Sequence, residues 1–485
     1  MRHRKRFAAA GFLDAGPAPI CAIVPNGPTL HRRLFVPAFA CAAFGRARAA
    51  DAVPDTAAPT AASDDAVRAI LAERTGERWY MGAAAGLVDA RGGTRTAGAG
   101  RLSDADARTP DADTVFEIGS VTKVVTALLL ADAAARGEVG LADPVQDHLP
   151  APVRVPGVGG RPITLLDLAT YGSGLPRNPR DPDAAFVTDR LYEFLTRYDL
   201  PRAPGAAFEY SNMGFGLLGL ALSRRTGLGY EELVLRRVCA PLGLESTRVA
   251  PTPSMQARLA PGHDAAFDPA PPWPHSDLAG SGALRSTVRD MLAFLAAASG
   301  ARESPLTPAF AALLRARRPT DAPGSEVAMG WFVQPNDGRE VVWKDGATRG
   351  YQAFAGFSPG GRHGAVVLAN TLSWASVDDI GQHLIEPSAR LAVLPRRVPA
   401  DPARLAGLAG TYKLSPRFSL AVTPRGDRLF CRGTGQPEFE LFAEDDRRFF
   451  ARAVRARVVF LRDDTGRATR LVLFQGGQRL PGVRE

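Results

Sequence analysis

The stretch from Val121 to Ala135, reading Val-Thr-Lys-Val-Val-Thr-Ala-Leu-Leu-Leu-Ala-Asp-Ala-Ala-Ala, constrains the chain more than any other. It reads as a helix running to Gly137, too apolar around its circumference to lie on a surface. Ser120 opens it, and Lys123 stands three residues on, so the two share a face one turn apart. A bare Ser-x-x-Lys match arises easily by chance on solvated helices. Lysine usage changes its weight: of 59 basic residues only Lys5, Lys123, Lys344 and Lys413 are lysine, and the rest are arginine. Lysine therefore stands where a deprotonable base is wanted, a role arginine cannot fill.

An amine held beside a serine hydroxyl can take its proton if the amine is neutral. Burial and a second cation nearby both lower its pKa toward that state. The helix N-terminus also turns backbone N–H groups toward the serine, where an oxyanion would form. Two further segments carry chemistry. In Glu209-Tyr-Ser-Asn-Met-Gly, Tyr210 and Asn212 sit at a turn into a helix ending near Gly227. A phenol there can shuttle protons, and an amide can hold a substrate carbonyl. In Val341-Val-Trp-Lys-Asp-Gly-Ala-Thr-Arg-Gly-Tyr351, strand periodicity turns Lys344 and Gly346 the same way. A cation would flank the cleft there, with glycine letting substrate lie along the strand edge. Taken alone, the second segment reads equally as an asparagine helix cap with a packed tyrosine, and the third as a hairpin with an exposed lysine.

In this order and at these separations, the three segments resemble the active site of the serine β-lactamase and penicillin-binding protein superfamily. The middle motif, Tyr-Ser-Asn, is most similar to that of class C β-lactamases, DD-peptidases and related esterases. The likeness spans residues 66–395, helped by Ile163–Pro176 and Gly280–Asp290. It implies that Ser120 is the acylated nucleophile, that Lys123 and Tyr210 share proton transfer, and that Asn212 orients substrate. It further implies that Lys344 binds a substrate carboxylate or tunes Tyr210, and that the N–H groups of Ser120 and Ala347 form the oxyanion hole. Two segments depart from the family pattern. Asp345 stands where β-lactamases usually have threonine, with its side chain free to face the cleft or turn away, and Tyr171-Gly172 stand where relatives often show His-Thr. Lactam, D-Ala-D-Ala peptide and ester substrates all fit this machinery. An alternative of another class is a penicillin-binding sensor or scaffold that does not turn over.

The expected fold class is α/β (α+β): a helical region beside an antiparallel sheet, then a small all-β barrel. Gly82 to Asp89 and Thr94 to Gly100 read as a strand pair joined at Arg91-Gly92-Gly93. Helical patterns dominate to about residue 300. Glu340 to Trp343, Tyr351 to Phe357 and Ala365 to Asn370 read as antiparallel neighbours, and Leu384 to Leu394 as a helix. Residues 396–402 form a Pro-rich joint, and residues 403–485 alternate through short strands resembling the lipocalin-like domain appended to such hydrolases.

The net charge of +9 looks like an invitation to nucleic acid. Residues 1–50 hold eight basic residues against Asp14 alone, so seven of those nine charges lie there and the body is nearly neutral. A nucleic-acid partner is not expected. Those fifty residues read instead as a basic arm and signal peptide, with His31-Arg32-Arg33, an apolar run from Leu34 to Phe44 and small residues at Ala47-Arg48-Ala49. The run is too short to span a bilayer. The expectation is an exported, periplasmic or secreted protein without stable membrane insertion, tethered through residues 51–65 and acting on a small molecule or a peptidoglycan-type peptide. Scattered histidines and the absence of CxxC imply no metal, and no organic cofactor is implied.

Overall fold

The structure is a computed structural model that describes residues 63–178, 188–273, 278–336 and 339–485. The export signal and most of the tether lie outside the described residues. Helix α1, Asp64–Gly76, opens on Ser63, whose Oγ accepts from the Ala66 N–H, with Asp64 and Asp65 favouring its first turn. Strands β1 (Gly82–Val88) and β2 (Thr94–Gly100) pair antiparallel as expected. The Asp89 carboxylate shapes their turn by accepting from the N–H groups of Arg91 and Gly93.

These strands join six from the far half of the chain: β3 (Arg318–Pro319), β4 (Glu326–Val327), β5 (Phe332–Asn336), β6 (Arg339–Ala347), β7 (Gln352–Ser358) and β8 (His363–Ala369). The sheet order is β2-β1-β8-β7-β6-β5-β4-β3. Strands β1 and β7 are buried at every residue, because helices cover both faces. On one face lie α2 (Thr122–Ala135), α3 (Asn212–Thr226) and α4 (Val288–Ala298), which share one core with the sheet. The apolar reading of α2 holds, with Thr122 through Ala133 all buried.

The other face packs on α1 and α5 (Asp378–Ile385). The helix expected over residues 384–394 lies earlier than that. Glu386 is already extended, because the ring of Pro387 disfavours helical geometry in the residue before it. No helix among the described residues is long and apolar enough to cross a membrane.

Eight antiparallel strands between Gly410 and Arg484 close into a barrel, the last pairing with the first through Tyr412–Arg484 and Lys413–Val483. Closure leaves it no free edge. Its core is built from alternate residues such as Leu420 and Val422, Leu429 and Cys431, Val458 and Phe460. Phe442 and Phe450 of the barrel share the core that includes Trp79 and α5. The Trp374 indole N–H donates to Ala451 O at 2.6 Å, and buried Arg452 donates to Glu77 O at 2.8 Å. Cys239 and Cys431 are both buried free thiols.

Candidate active site

Ser120 lies in a single tight turn, Gly119–Val121, ahead of α2. Two glycines from distant segments let this turn press against the end of β6. Gly119 has φ +48°, and a Cβ on it would stand 2.7 Å from both N and O of Ala347. A Cβ on Gly346 would lie 2.0 Å from Ile118 O and 3.1 Å from Ser120 N. The space beside Gly346 is thus filled by the nucleophile's own turn, which is why the strand needs glycine there.

Lys123 is wholly buried on the face of α2 that also carries Thr122 and Thr126. The two threonines sew α2 to the segment around residue 280: Thr126 Oγ1 donates to Gly280 O at 2.8 Å, and Thr122 Oγ1 accepts from Leu284 N at 3.2 Å. A buried Arg285–Glu117 ion pair at 2.8 Å fastens the same segment to the strand that leads into Ser120. Lys123 Nζ donates to Ser120 Oγ at 2.9 Å, to Asn212 Oδ1 at 2.8 Å and to Ser281 O at 2.5 Å. Burial, with Lys344 as a further cation, lowers its pKa to about 8 against an opposing pull from Tyr210. Roughly one lysine in ten is then neutral at pH 7. The neutral amine keeps two N–H donors for Asn212 and Ser281 and has a lone pair for the Ser120 proton.

The cap of α3 decides what Asn212 can do. Ser211, not Asn212, caps this helix: its Oγ accepts from Gly214 N at 2.8 Å and donates to Pro176 O at 2.8 Å. The Asn212 amide is left for Lys123 on one side and Asn178 Oδ1, at 2.9 Å, on the other. The Tyr210 ring has Lys123 Nζ 5.1 Å, Lys344 Nζ 5.2 Å and the Arg177 guanidinium 4.7 Å from its centre. Burial pushes the phenol up, but the two lysines outweigh it and bring Tyr210 down to about 8. Tyr210 and Lys123 are thus both drawn down from their ordinary values, which suits the pair to proton transfer near neutral pH.

Tyr171 stacks on Tyr210 at 4.9 Å with an interplanar angle of 18°. Its φ of +54° is unusual for a non-glycine residue, and the loop is held by Glu209 N donating to Tyr171 O and Gly172 N to the carbonyl of buried Asp167. Lys344 is buried and donates to Asp345 Oδ1 at 2.6 Å and Asp345 O at 2.9 Å. Burial would lower the Lys344 pKa, but Asp345 and Tyr210 hold it above its ordinary value. The half-exposed Asp345 carboxylate is thus held against Lys344 Nζ, the same nitrogen that lies 5.2 Å from the centre of the Tyr210 ring.

All seven residues singled out by sequence converge here: Ser120, Lys123, Tyr210, Asn212, Lys344, Gly346 and Ala347. Sequence reasoning missed the Ser281 carbonyl and the stacking role of Tyr171. The Ser281 acceptor is a backbone atom and leaves no mark in residue type. Tyr171 was visible only as a departure from pattern.

Residues 67–388 match the family model described as Beta-lactamase. The chain belongs to the beta-lactamase family. Residues 394–482 match a second family, a domain of unknown function, DUF3471. The chain is 31% identical over 279 residues to the D-alanyl-D-alanine-carboxypeptidase/endopeptidase AmpH of Escherichia coli strain K12, covering 53% of this chain and 71% of that protein. A class C beta-lactamase structure from Rhodobacter sphaeroides superposes with TM-score 0.56 and 27% identity, over 63% of this chain and 94% of that one. The octameric penicillin-binding protein homologue of Pyrococcus abyssi superposes with TM-score 0.60 over 86% of this chain and 99% of that one; at 20% identity it speaks for the fold alone. This beta-lactamase family member is a serine hydrolase.

Proposed function

We propose that Ser120 attacks a carbonyl carbon and carries the acyl group, with Lys123 as the base that activates it. The observation that carries this reading is the 2.9 Å contact between Lys123 Nζ and Ser120 Oγ, made by a fully buried amine whose other acceptors are neutral oxygens. As the new C–O bond forms, the Ser120 proton moves to neutral Lys123. The N–H groups of Ser120 and Ala347 receive the oxyanion. Collapse breaks the bond to the leaving group, which takes a proton relayed through Tyr210. A water molecule then adds to the acyl-enzyme, giving one proton back through the same groups and releasing acid and Ser120. Asn212 steadies Lys123 and is available to a substrate amide.

The open edge of β6 supports an extended substrate. Its pairing with β5 runs from Arg339 to Trp343, and from Lys344 to Ala347 it pairs, among the described residues, with β7 alone. We take the substrate as a small molecule or peptidoglycan-type peptide with an amide, lactam or ester carbonyl. The named functions of relatives, beta-lactamase and D-alanyl-D-alanine-carboxypeptidase/endopeptidase, support the lactam and amide members of that range. We take residues 66–395 as the catalytic domain and 403–485 as an appended barrel. Export follows from the basic and apolar pattern before residue 50.

The test is mass spectrometry of the protein quenched after mixing with nitrocefin, a D-Ala-D-Ala peptide or a p-nitrophenyl ester. An adduct on the Ser120 peptide with product release is expected, and Ser120→Ala should lose both. Adduct without release would mark a sensor. No adduct from any of the three, in folded protein, would remove the acyl-enzyme reading.

A further inference from the structure

Asp345 gives the β6 side of the cleft, which we take as the side of the leaving group, an unusual electrical face. Lys344 is fully buried, while the side chain of Asp345 is 44% exposed. Two of the three ammonium protons of Lys344 already go to Asp345, one to its carboxylate and one to its backbone carbonyl. What an incoming group meets at this edge is therefore an anion in front of a cation whose donors are largely taken. Asp345 also lies two residues from Ala347, whose N–H is assigned to the oxyanion, so the field acts beside the scissile bond. A carboxylate within hydrogen-bonding reach of Lys344 would have to approach Asp345 Oδ1, which sits 2.6 Å from the same nitrogen. Two carboxylates at such separation repel, and there is little room for solvent between them.

We propose that Asp345 is a specificity-determining residue that rejects substrates carrying a carboxylate on the leaving group and selects those with a neutral or cationic one. The inference rests on the acyl-transfer reading above and narrows its substrate class to uncharged esters and amides, or those with an amine beyond the scissile bond. The cation Arg177, stacked on Tyr210 next to Asn212, lies against the other wall. The cleft is thus polarised, negative at β6 and positive at the mouth of α3.

The test uses two esters of phenylacetic acid, one with a 3-carboxyphenol leaving group and the other with the methyl ester of that phenol. Both deliver the same acyl-enzyme, so any difference in kcat/KM reads the leaving-group side alone. Wild type is expected to favour the uncharged ester at least tenfold. Asp345→Thr and the isosteric Asp345→Asn should both shift that ratio at least tenfold toward the carboxylate ester, chiefly through KM. Equal kcat/KM for the pair in wild type, or variants that slow both esters alike, would overturn the inference. So would wild-type preference for the carboxylate ester, and loss of that preference in Arg349→Gln would transfer carboxylate recognition to the exposed arginine after β6. Mass of the quenched protein separates the two levels. Absence of any adduct defeats the acyl-transfer reading itself, whereas an adduct on Ser120 with the wrong leaving-group preference defeats only the role of Asp345.

Discussion

The helix end that carries Lys123 and the strand edge that carries Lys344 make a controlled comparison. Both lysines are fully buried, and both nitrogens lie about equally far from the centre of the Tyr210 ring, at 5.1 and 5.2 Å. Lys123 meets a hydroxyl, an amide oxygen and a backbone carbonyl, all neutral, and falls to about 8. Lys344 meets a carboxylate and stays above its ordinary value. Equal burial thus yields one proton acceptor and one fixed cation, and the charge of the hydrogen-bond partner separates them.

The strongest way to break this contrast is Lys123→Arg, which keeps the charge and removes the base. Its kcat/KM should fall by about 1,000-fold or more, measured by stopped-flow acylation with a chromogenic ester; near-full activity would end the base assignment. Lys344→Met comes next. It removes a cation that pulls both Tyr210 and Lys123 down, and should cost roughly 100-fold in kcat/KM. The pH profile sharpens the point. Because Lys123 acts when deprotonated, kcat/KM should rise with pH through about 8. In Lys344→Met that limb should move to higher pH, since the lost cation had favoured deprotonation of both groups. An unmoved limb would show that the two lysines do not communicate. The smallest effect is expected from Ser211→Ala, which removes the cap of α3 and costs about 1 kcal/mol of stability, a drop in Tm of about 2 °C by calorimetry.

The residues that could be read from sequence were those whose geometry is local. Ser120 and Lys123 are tied by helical periodicity, and the Lys344–Gly346 alternation by the strand. The strands from β6 to β8 were legible because each follows the last through a short turn. The union of β1 with β8, through partners such as Ala83 and Ala369, spans most of the chain and has no local signature. Nor has the pairing of Phe116–Glu117 with Arg285–Ser286, which sets Ser120 against Ser281. The misplaced helix after Leu384 shows apolar periodicity losing to one proline. Asp345 was visible as a departure, but its direction was not: in a strand it would face opposite to Lys344, and only the bent lysine side chain at an open edge brings the two together.

The backbone clasp between Gly119 and Gly346 limits how such a site can diversify. Each position is closed to even a methyl group by main-chain atoms of the other segment, which cannot swing aside as a side chain would. Nucleophile and strand end must move as one body, and mutation cannot adjust their spacing by degrees. New substrate preferences in this scaffold are therefore channelled into residues outside the clasp, such as Asp345 beside it in the strand and Arg177 and Tyr171 against the Tyr210 ring.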